Sequence, residues 1–307
     1  MKVKQWTKRS FNRIKRDGIE GLRASARPVY NKALEQGNYI RPRGENIYDE
    51  DWDLLVVADA CRLDLMKEMK NKYDFINDIE SIWSLDSTTA QWMEKTFVEK
   101  YNKEIQKTNY ICGNPFSATK LSNVDFGQLI EVWRHSWLDI GTVPPRAITD
   151  HTIAVNRGQS QKRTIAHYMQ PHCPFIPHPE LMSSKEKDKW GNQDTKDVWE
   201  RLRDNELTEK EVWAAYRNNL EIVLDEIKLL LQNIDADNVI ITSDHGNAKG
   251  EWNIYGHPPG SPLRCLREVP WIQTSASDVG DYEPNLKDAK ENKVSRERKL
   301  QALGYIE

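Results

Sequence analysis

The sequence predicts an α/β protein with a mostly parallel central sheet and helices on both faces. Three observations lead there. Apolar runs recur at WDLLVVAD (52–59), KRTIAHYM (162–169) and NVIITSD (238–244), and continuous runs of this kind fit parallel strands covered on both faces. Segments with helical periodicity separate them, and strands alternating with helices imply crossover connections. Ligand-type residues stand where these runs stop: Asp59, His172 just beyond 169, and Asp244 with His245. Ligands of open α/β sheets bind outside the carboxyl ends of the strands.

The elements follow in order. Residues 1–43 hold twelve Lys or Arg against three acids, with Trp6, Phe11, Ile14, Ile19 and Leu22 at roughly helical spacing. That pattern suits a basic amphipathic helix resting on an anionic membrane surface or a partner. A packed terminal helix with a solvated basic face is the alternative. A strand is expected at 52–59, a helix at 61–73, a strand at 75–84, an amphipathic segment at 88–101 and a short strand at 108–114. Further strands are expected at 162–169, 238–244 and 267–274, with a long helix at 207–234 and no good cap before Leu207. Residues 180–206 are polar and expected as an exposed insertion or lid, and the charged tail 283–302 as helix. Residues 44–307 would then be a single catalytic domain.

Composition narrows the function. Hydrophobic residues make up 38% of the 307 and charged ones 30%, with a net charge of −3. That balance supports a real core and argues against nucleic acid as a partner. No apolar run reaches the length of a membrane-spanning helix, and the basic start lacks the apolar stretch of a signal peptide. Four scattered cysteines without a CxxC pair read as free thiols of a cytoplasmic protein, with residues 1–43 as the segment that would contact the inner face of the membrane.

Asp59, Asp244 and His245 form a ligand set of two carboxylates and one imidazole. It suits zinc or manganese, and magnesium or calcium less well. Three protein ligands leave room for a nucleophile and a substrate oxygen. Each residue alone is a weak signal, because Asp after a strand often caps the next helix.

Taken together, VVADACRLD, SLDSTTAQW, HYMQPHCPF and TSDHGNAKGEWNIYGHP followed by LREVPW resemble the sulfatase-like branch of the alkaline phosphatase superfamily, over about residues 45–275. The resemblance implies an alkaline-phosphatase-like fold, with Asp59, Thr89, Asp244 and His245 on the metal and Thr89 as nucleophile at a helix start. Thr88 is the neighbouring choice, and either threonine could instead be an N-cap. His172 matches a position that contacts substrate or protonates the leaving group. His257 matches one that contacts the transferred group or a second metal. Asn114, after the strand at 108–113, Arg62, within VVADACRLD, and Thr88 are the candidates for substrate binding. His167 and His178 are secondary candidates, and His135 and His151 are read as structural.

Two departures shape the expected chemistry. No C-x-P/A-x-R motif for formylglycine is present. A plain threonine suits a phospho-enzyme intermediate better than sulfate ejection. The Asp-x-x-x-His pair of two-metal phosphatases is not evident near 165–180, so one divalent ion is expected rather than two. The expected activity is hydrolysis or transfer of a phosphate mono- or diester, on a glycan or lipid-linked substrate. Sulfate-ester hydrolysis and a non-catalytic metal-binding role are the alternatives.

Overall fold

The computed structural model describes residues 43–158, 163–182, 196–286 and 295–302, together with scattered positions between 11 and 33. Its centre is a seven-stranded sheet. In chain order the strands are β1 (Leu54–Ala58), β2 (Glu80–Trp83), β3 (Thr108–Cys112), β4 (Gln128–Glu131), β5 (Arg163–Tyr168), β6 (Ala236–Thr242) and β9 (Glu268–Ala276). A two-stranded hairpin, β7 (Ala248–Lys249) with β8 (Tyr255–Gly256), stands apart. Across the sheet the order is β2-β9-β6-β1-β5-β3-β4. Pairing is parallel from β6 through β4, and β9 runs antiparallel to both β6 and β2. This is the mixed α/β, mostly parallel sheet that the apolar runs predict.

The helices longer than one turn are α1 (Leu63–Glu68), α2 (Thr89–Thr96), α3 (Pro145–Gly158), α4 (Val198–Arg203), α5 (Glu209–Leu231) and α6 (Arg296–Ala302). Strand β1 shows why both faces are covered. Leu54, Val56 and Ala58 join a core with α3 and α5, including Ile148, Ile153, Leu220 and Leu224. Leu55 and Val57 point the other way, into a second core with Trp92, Tyr110 and Ile165. Alternate residues of a strand face opposite sides, so a buried central strand must be apolar at every position.

Several elements differ from expectation. The helix expected at 61–73 is regular only over 63–68, and the strand expected at 75–84 shrinks to 80–83 at the sheet edge. Strand β4, half-buried throughout, and helix α3, amphipathic with Ile148, Thr152 and Val155 buried at helical spacing, were not predicted. The signal for α3 was Pro144–Pro145, because proline suits the first turn of a helix. Helix α5 starts two residues later than expected and is capped: Thr208 accepts from Glu211 N, and Glu211 accepts from Thr208 N. The T-x-x-E signature was in the sequence.

Of the segment 180–206, residues 183–195 lie outside the described residues. Its later part is packed rather than exposed, because Val198, Trp199 and Leu202 of α4 are buried. Most of 1–43 also lies outside, and its described positions between 11 and 33 are helical. Within the tail 283–302 the described helix is α6, and 287–294 lie outside.

Candidate metal centre

Parallel strands end at one edge, and that edge gathers the polar residues. Asp59 follows β1, and Asp244 and His245 follow β6, the strand paired with β1. One ligand atom from each of these three lies within 4.8 Å of the others, and all three residues are buried.

The local backbone aims these atoms. Asp244 Oδ1 accepts from the backbone N–H of Ala60 at 3.0 Å and of His245 at 2.9 Å. Its Oδ2 has no hydrogen-bond partner despite full burial. His245 Nδ1 donates to the Gly246 carbonyl at 2.8 Å, which leaves the Nε2 lone pair available. Nε2 sits 3.5 Å from Asp244 Oδ2 and 3.8 Å from Asp59 Oδ1. An orphaned carboxylate oxygen beside an imidazole of fixed tautomer is a donor set that fits a divalent ion.

The glycine of this Asp-His-Gly run has a steric reason. A Cβ on Gly246 would drive into the Cys265 carbonyl oxygen. The turn after β1 is tied down as firmly. Ala60 adopts φ 60, its carbonyl accepts from the buried Tyr216 hydroxyl, and Cys61 N–H donates to Ser243 Oγ at 2.8 Å.

Thr89 and Thr88 part company. Thr88 is the N-cap of α2, its hydroxyl accepting from Gln91 N. Thr89, the first residue of α2, is fully buried at the cluster, with Oγ1 3.2 Å from His245 Nε2 and 3.4 Å from Asp59 Oδ2. Asn114, just past β3, donates from Nδ2 to Asp59 Oδ2 at 2.9 Å.

His172 and His257 meet each other. Their Nε2 atoms are 3.0 Å apart, and the His257 ring centroid is 4.6 Å from that of His245. His172 N–H also donates to the Asp59 carbonyl at 3.1 Å. Burial lowers the pKa of both imidazoles, that of His257 more, with His245 and His172 adding to the effect there. Burial opposes ionisation of Asp59. The approach of His167 and the field of His172 and His245 more than offset it, so the carboxyl is held well below the usual carboxylate range.

Arg62 departs from its expected place as a substrate ligand at this cluster. Its guanidinium binds Asp64 Oδ2 at 2.6 Å, Glu251 Oε1 at 2.7 Å and the Asn247 carbonyl at 2.6 Å. Those partners hold it against the 244–247 loop.

Sequence reasoning underrated His167 and missed Asp86, Ser87 and Tyr110. Buried His167 accepts at Nδ1 from, or donates to, Tyr110 Oη at 2.7 Å. Its Nε2, without a hydrogen-bond partner, stands 3.6 Å from Asp59 Oδ2. Asp86 Oδ1 accepts from Ser87 N at 2.7 Å and Gly260 N at 3.2 Å. Ser87 Oγ donates to the Pro258 carbonyl at 2.8 Å. These bonds stitch the approach to Thr89 onto the loop that follows His257. The signal was a run of small polar residues, SLDST, which also reads as an ordinary helix start. His178 lies apart, half-exposed beside Glu180 and Asn218, and His151 bonds the Ala147 carbonyl within α3.

No family model matches the chain, and no curated protein is similar to it in sequence. Solved structures are similar in fold. The integral membrane lipooligosaccharide phosphoethanolamine transferase A (EptA) of Neisseria meningitidis matches with a TM-score of 0.50 at 14% identity, over 73% of this chain and 47% of that one. At that identity the likeness is one of fold. The chain spans about half the length of that membrane protein. The periplasmic domain of EcEptC from Escherichia coli, in complex with Zn, gives 0.49 at 10% identity, over 77% and 76%. A putative sulfatase from Bacteroides thetaiotaomicron gives 0.46 at 11%, over 86% and 71%.

No described helix is long and apolar enough to cross a membrane. The reading of free thiols as a cytoplasmic mark does not hold. Cys61, Cys112 and Cys173 are at most 2% exposed, and thiols so buried resist oxidation in any compartment.

Proposed function

We propose that the chain is a metal-dependent enzyme that hydrolyses or transfers phosphate esters with Thr89 as nucleophile. The observation that carries this is the buried Thr89 hydroxyl, within 3.4 Å of both Asp59 and His245. Thr88 is already occupied as the cap, so the catalytic role falls to its neighbour.

Asp59, Asp244 and His245 would hold the ion together with Thr89. When bound, the ion eases loss of the hydroxyl proton and offsets charge on the phosphoryl oxygens. The first turn of α2 adds the positive end of the helix dipole, favourable to an anion. Thr89 Oγ1 gives its proton to water and forms a bond to phosphorus, and the bond from phosphorus to the leaving oxygen breaks. Neutral imidazoles facing each other at 3.0 Å share one proton between their Nε2 atoms, and His172 or His257 can deliver such a proton to the leaving oxygen. Water or an acceptor hydroxyl then attacks the phosphothreonine, the bond from phosphorus to Oγ1 breaks, and Thr89 regains its proton. Asn114 steadies Asp59 through Oδ2 and so acts on the substrate only indirectly.

An ester of phosphate is favoured over sulfate because Thr89 carries a single hydroxyl. A formylglycine hydrate has a second one, whose collapse ejects sulfate. The substrate class we favour is a glycan or a lipid-linked head group. The helical, described positions Phe11, Leu22 and Val29 are exposed. Beside the basic charge of residues 1–43, they support a peripheral contact with an anionic membrane surface.

The test is intact-mass and peptide-mapping mass spectrometry after mixing the metal-loaded protein with bis(p-nitrophenyl) phosphate. The expected result is a phosphoryl adduct on Thr89. An adduct on Thr88, or on neither while product accumulates, contradicts the proposal.

A further inference from the structure

We infer that the cleft beside the 244–247 loop, lined by Arg62, Glu251 and Trp252, is a carbohydrate subsite, built to seat a neutral sugar ring against Trp252. Its role as the subsite for the glycan part of the substrate rests on the proposed function. Its capacity to bind sugar does not.

The cleft has a volume of about 550 Å³ and is walled by the start of α1, the hairpin tip at 251–252 and the segment 262–268. That is within the range of about 300–1,000 Å³ typical of small-molecule sites. Trp252 is 63% exposed, although an indole offers one of the largest apolar surfaces of any side chain. Its backbone is held at φ 52, and Asn253 follows at φ 57. Left-handed backbone costs a non-glycine residue about 1–2 kcal/mol. The hairpin therefore accepts strain to put an indole in the open. A buried tryptophan would explain that cost by packing, and this one does not pack.

The charged groups of the cleft determine what the indole can receive. Arg62 is paired with both Asp64 and Glu251, and Arg264 with Glu268 at 2.7 Å. With Lys67, the lining holds three cations against three carboxylates, so an ionic ligand would find no net charge to compensate and would have to break a pair. Paired carboxylates and guanidiniums keep spare lone pairs and N–H groups in their planes. Asp64 and Glu251 remain 55% and 31% exposed at the side chain. Planar, charge-neutral pairs of donors and acceptors match the vicinal hydroxyls of a sugar, and the C–H face of a pyranose packs on an indole. Apolar Leu63, Pro262 and Leu263 complete the walls.

The cleft is also rigidly coupled to the cluster. Arg62 is three residues from Asp59 in the chain and donates to the carbonyl of Asn247, two residues beyond His245. The hairpin that carries Glu251 and Trp252 leads directly into His257. A sugar seated here would lie beside the group whose ester is cleaved.

The test uses the full-length, metal-free protein, so that it is independent of catalysis. Indole N–H resonances of ¹⁵N-labelled protein are followed while methyl β-glucopyranoside, methyl α-mannopyranoside, methyl β-galactopyranoside and methyl N-acetyl-β-glucosaminide are titrated in turn. Phosphorylethanolamine and glycerol are run as ionic and small-polyol controls. The expected result is saturable movement of the Trp252 resonance with at least one pyranoside and with neither control. Glu251→Gln should weaken that binding by about tenfold, the effect of one charge-assisted hydrogen bond. Trp252→Ala should abolish the saturation seen at the remaining shifted resonances, and Trp252→Phe should retain part of it. An unchanged spectrum with all four pyranosides overturns the inference, and so does a stronger response to phosphorylethanolamine. Equal affinity in Trp252→Ala and the parent protein overturns it too. Sugar binding without phosphoesterase activity would leave the cleft standing and the proposed reaction refuted; activity without sugar binding would do the reverse.

Discussion

Among the described turns that hold non-glycine residues in left-handed backbone, those at Ala60 and at Trp252–Asn253 are built in opposite ways. Ala60, between Asp59 and Cys61, is buried and bonded on every side: its N–H to Asp244, its carbonyl to Tyr216, the next N–H to Ser243. Trp252 and Asn253 sit at an exposed hairpin tip, where the Asn253 N–H returns to the Gly250 carbonyl and the Trp252 carbonyl accepts from Tyr30 at 3.0 Å. The first turn fixes where a ligand atom points. The second holds a side chain out in solvent. Strain survives at the core because many bonds determine it, and at the rim because a short hairpin leaves the chain little choice.

The largest effect should come from crowding the buried side of this comparison. Gly246→Ala places a methyl against the Cys265 carbonyl. Thermal or urea unfolding should show a loss of about 3 kcal/mol. A variant of parental stability would mean that the 265 segment yields easily. Next is the support of Asp59. His167→Gln is expected to weaken Zn²⁺ or Mn²⁺ binding by about 10–100-fold, the usual cost of disturbing a group that orients a ligand. Isothermal titration against a competing chelator would measure it, and Tyr110→Phe should give a smaller loss in the same direction.

The turns themselves can be compared by glycine. Ala60→Gly relieves left-handed strain and should stabilise by about 1 kcal/mol. Asn253→Gly should gain less, because asparagine tolerates that region better. Equal gains at both sites would remove the distinction drawn between them.

The smallest expected effect is a pH dependence at the cap of α4. Burial pushes the Asp197 carboxyl up to about 6. The folded state therefore holds that proton more tightly than the unfolded chain does. This contribution is fully present below the unfolded pKa of about 4 and is lost as pH rises through about 6. Asp197→Asn can still accept from Glu200 N. It should flatten the stability decline between those pH values, by about 1 kcal/mol for a partly buried group. A decline of the same slope in the variant would assign it elsewhere.

The metal corner was the most legible part of the sequence. An apolar run that stops at ligand-type residues says both that a strand ends and that something awaits there, as at Asp59 and Asp244. The sheet was legible for the same reason, because buried parallel strands are apolar throughout. Thr89 was harder, since TT at a helix start reads equally as a cap, and Thr88 does serve as one. His167 was obscured by its own strand. Only the register, which sets it opposite Val57 and Cys112, brings it to Asp59 and Tyr110. The pairing of Arg62 with Glu251 was not legible, because the two lie nearly two hundred residues apart in sequence and no local pattern announces a pair of that kind. Edge elements such as β2 and β4 are half-exposed and carry a weak apolar signal.

The central claim is that Asp59, Asp244 and His245 hold a metal ion that serves Thr89. The most direct measurement is divalent-metal binding and p-nitrophenyl phosphate turnover, compared among the parent protein, Asp244→Asn and Thr89→Ala. The account predicts about one ion per chain in the parent. It predicts that Asp244→Asn loses the ion and its turnover together, and that Thr89→Ala keeps most of the metal affinity while turnover falls by about 10³-fold or more. A parent chain that binds no ion, or a Thr89→Ala protein that turns over at the parental rate, would contradict it.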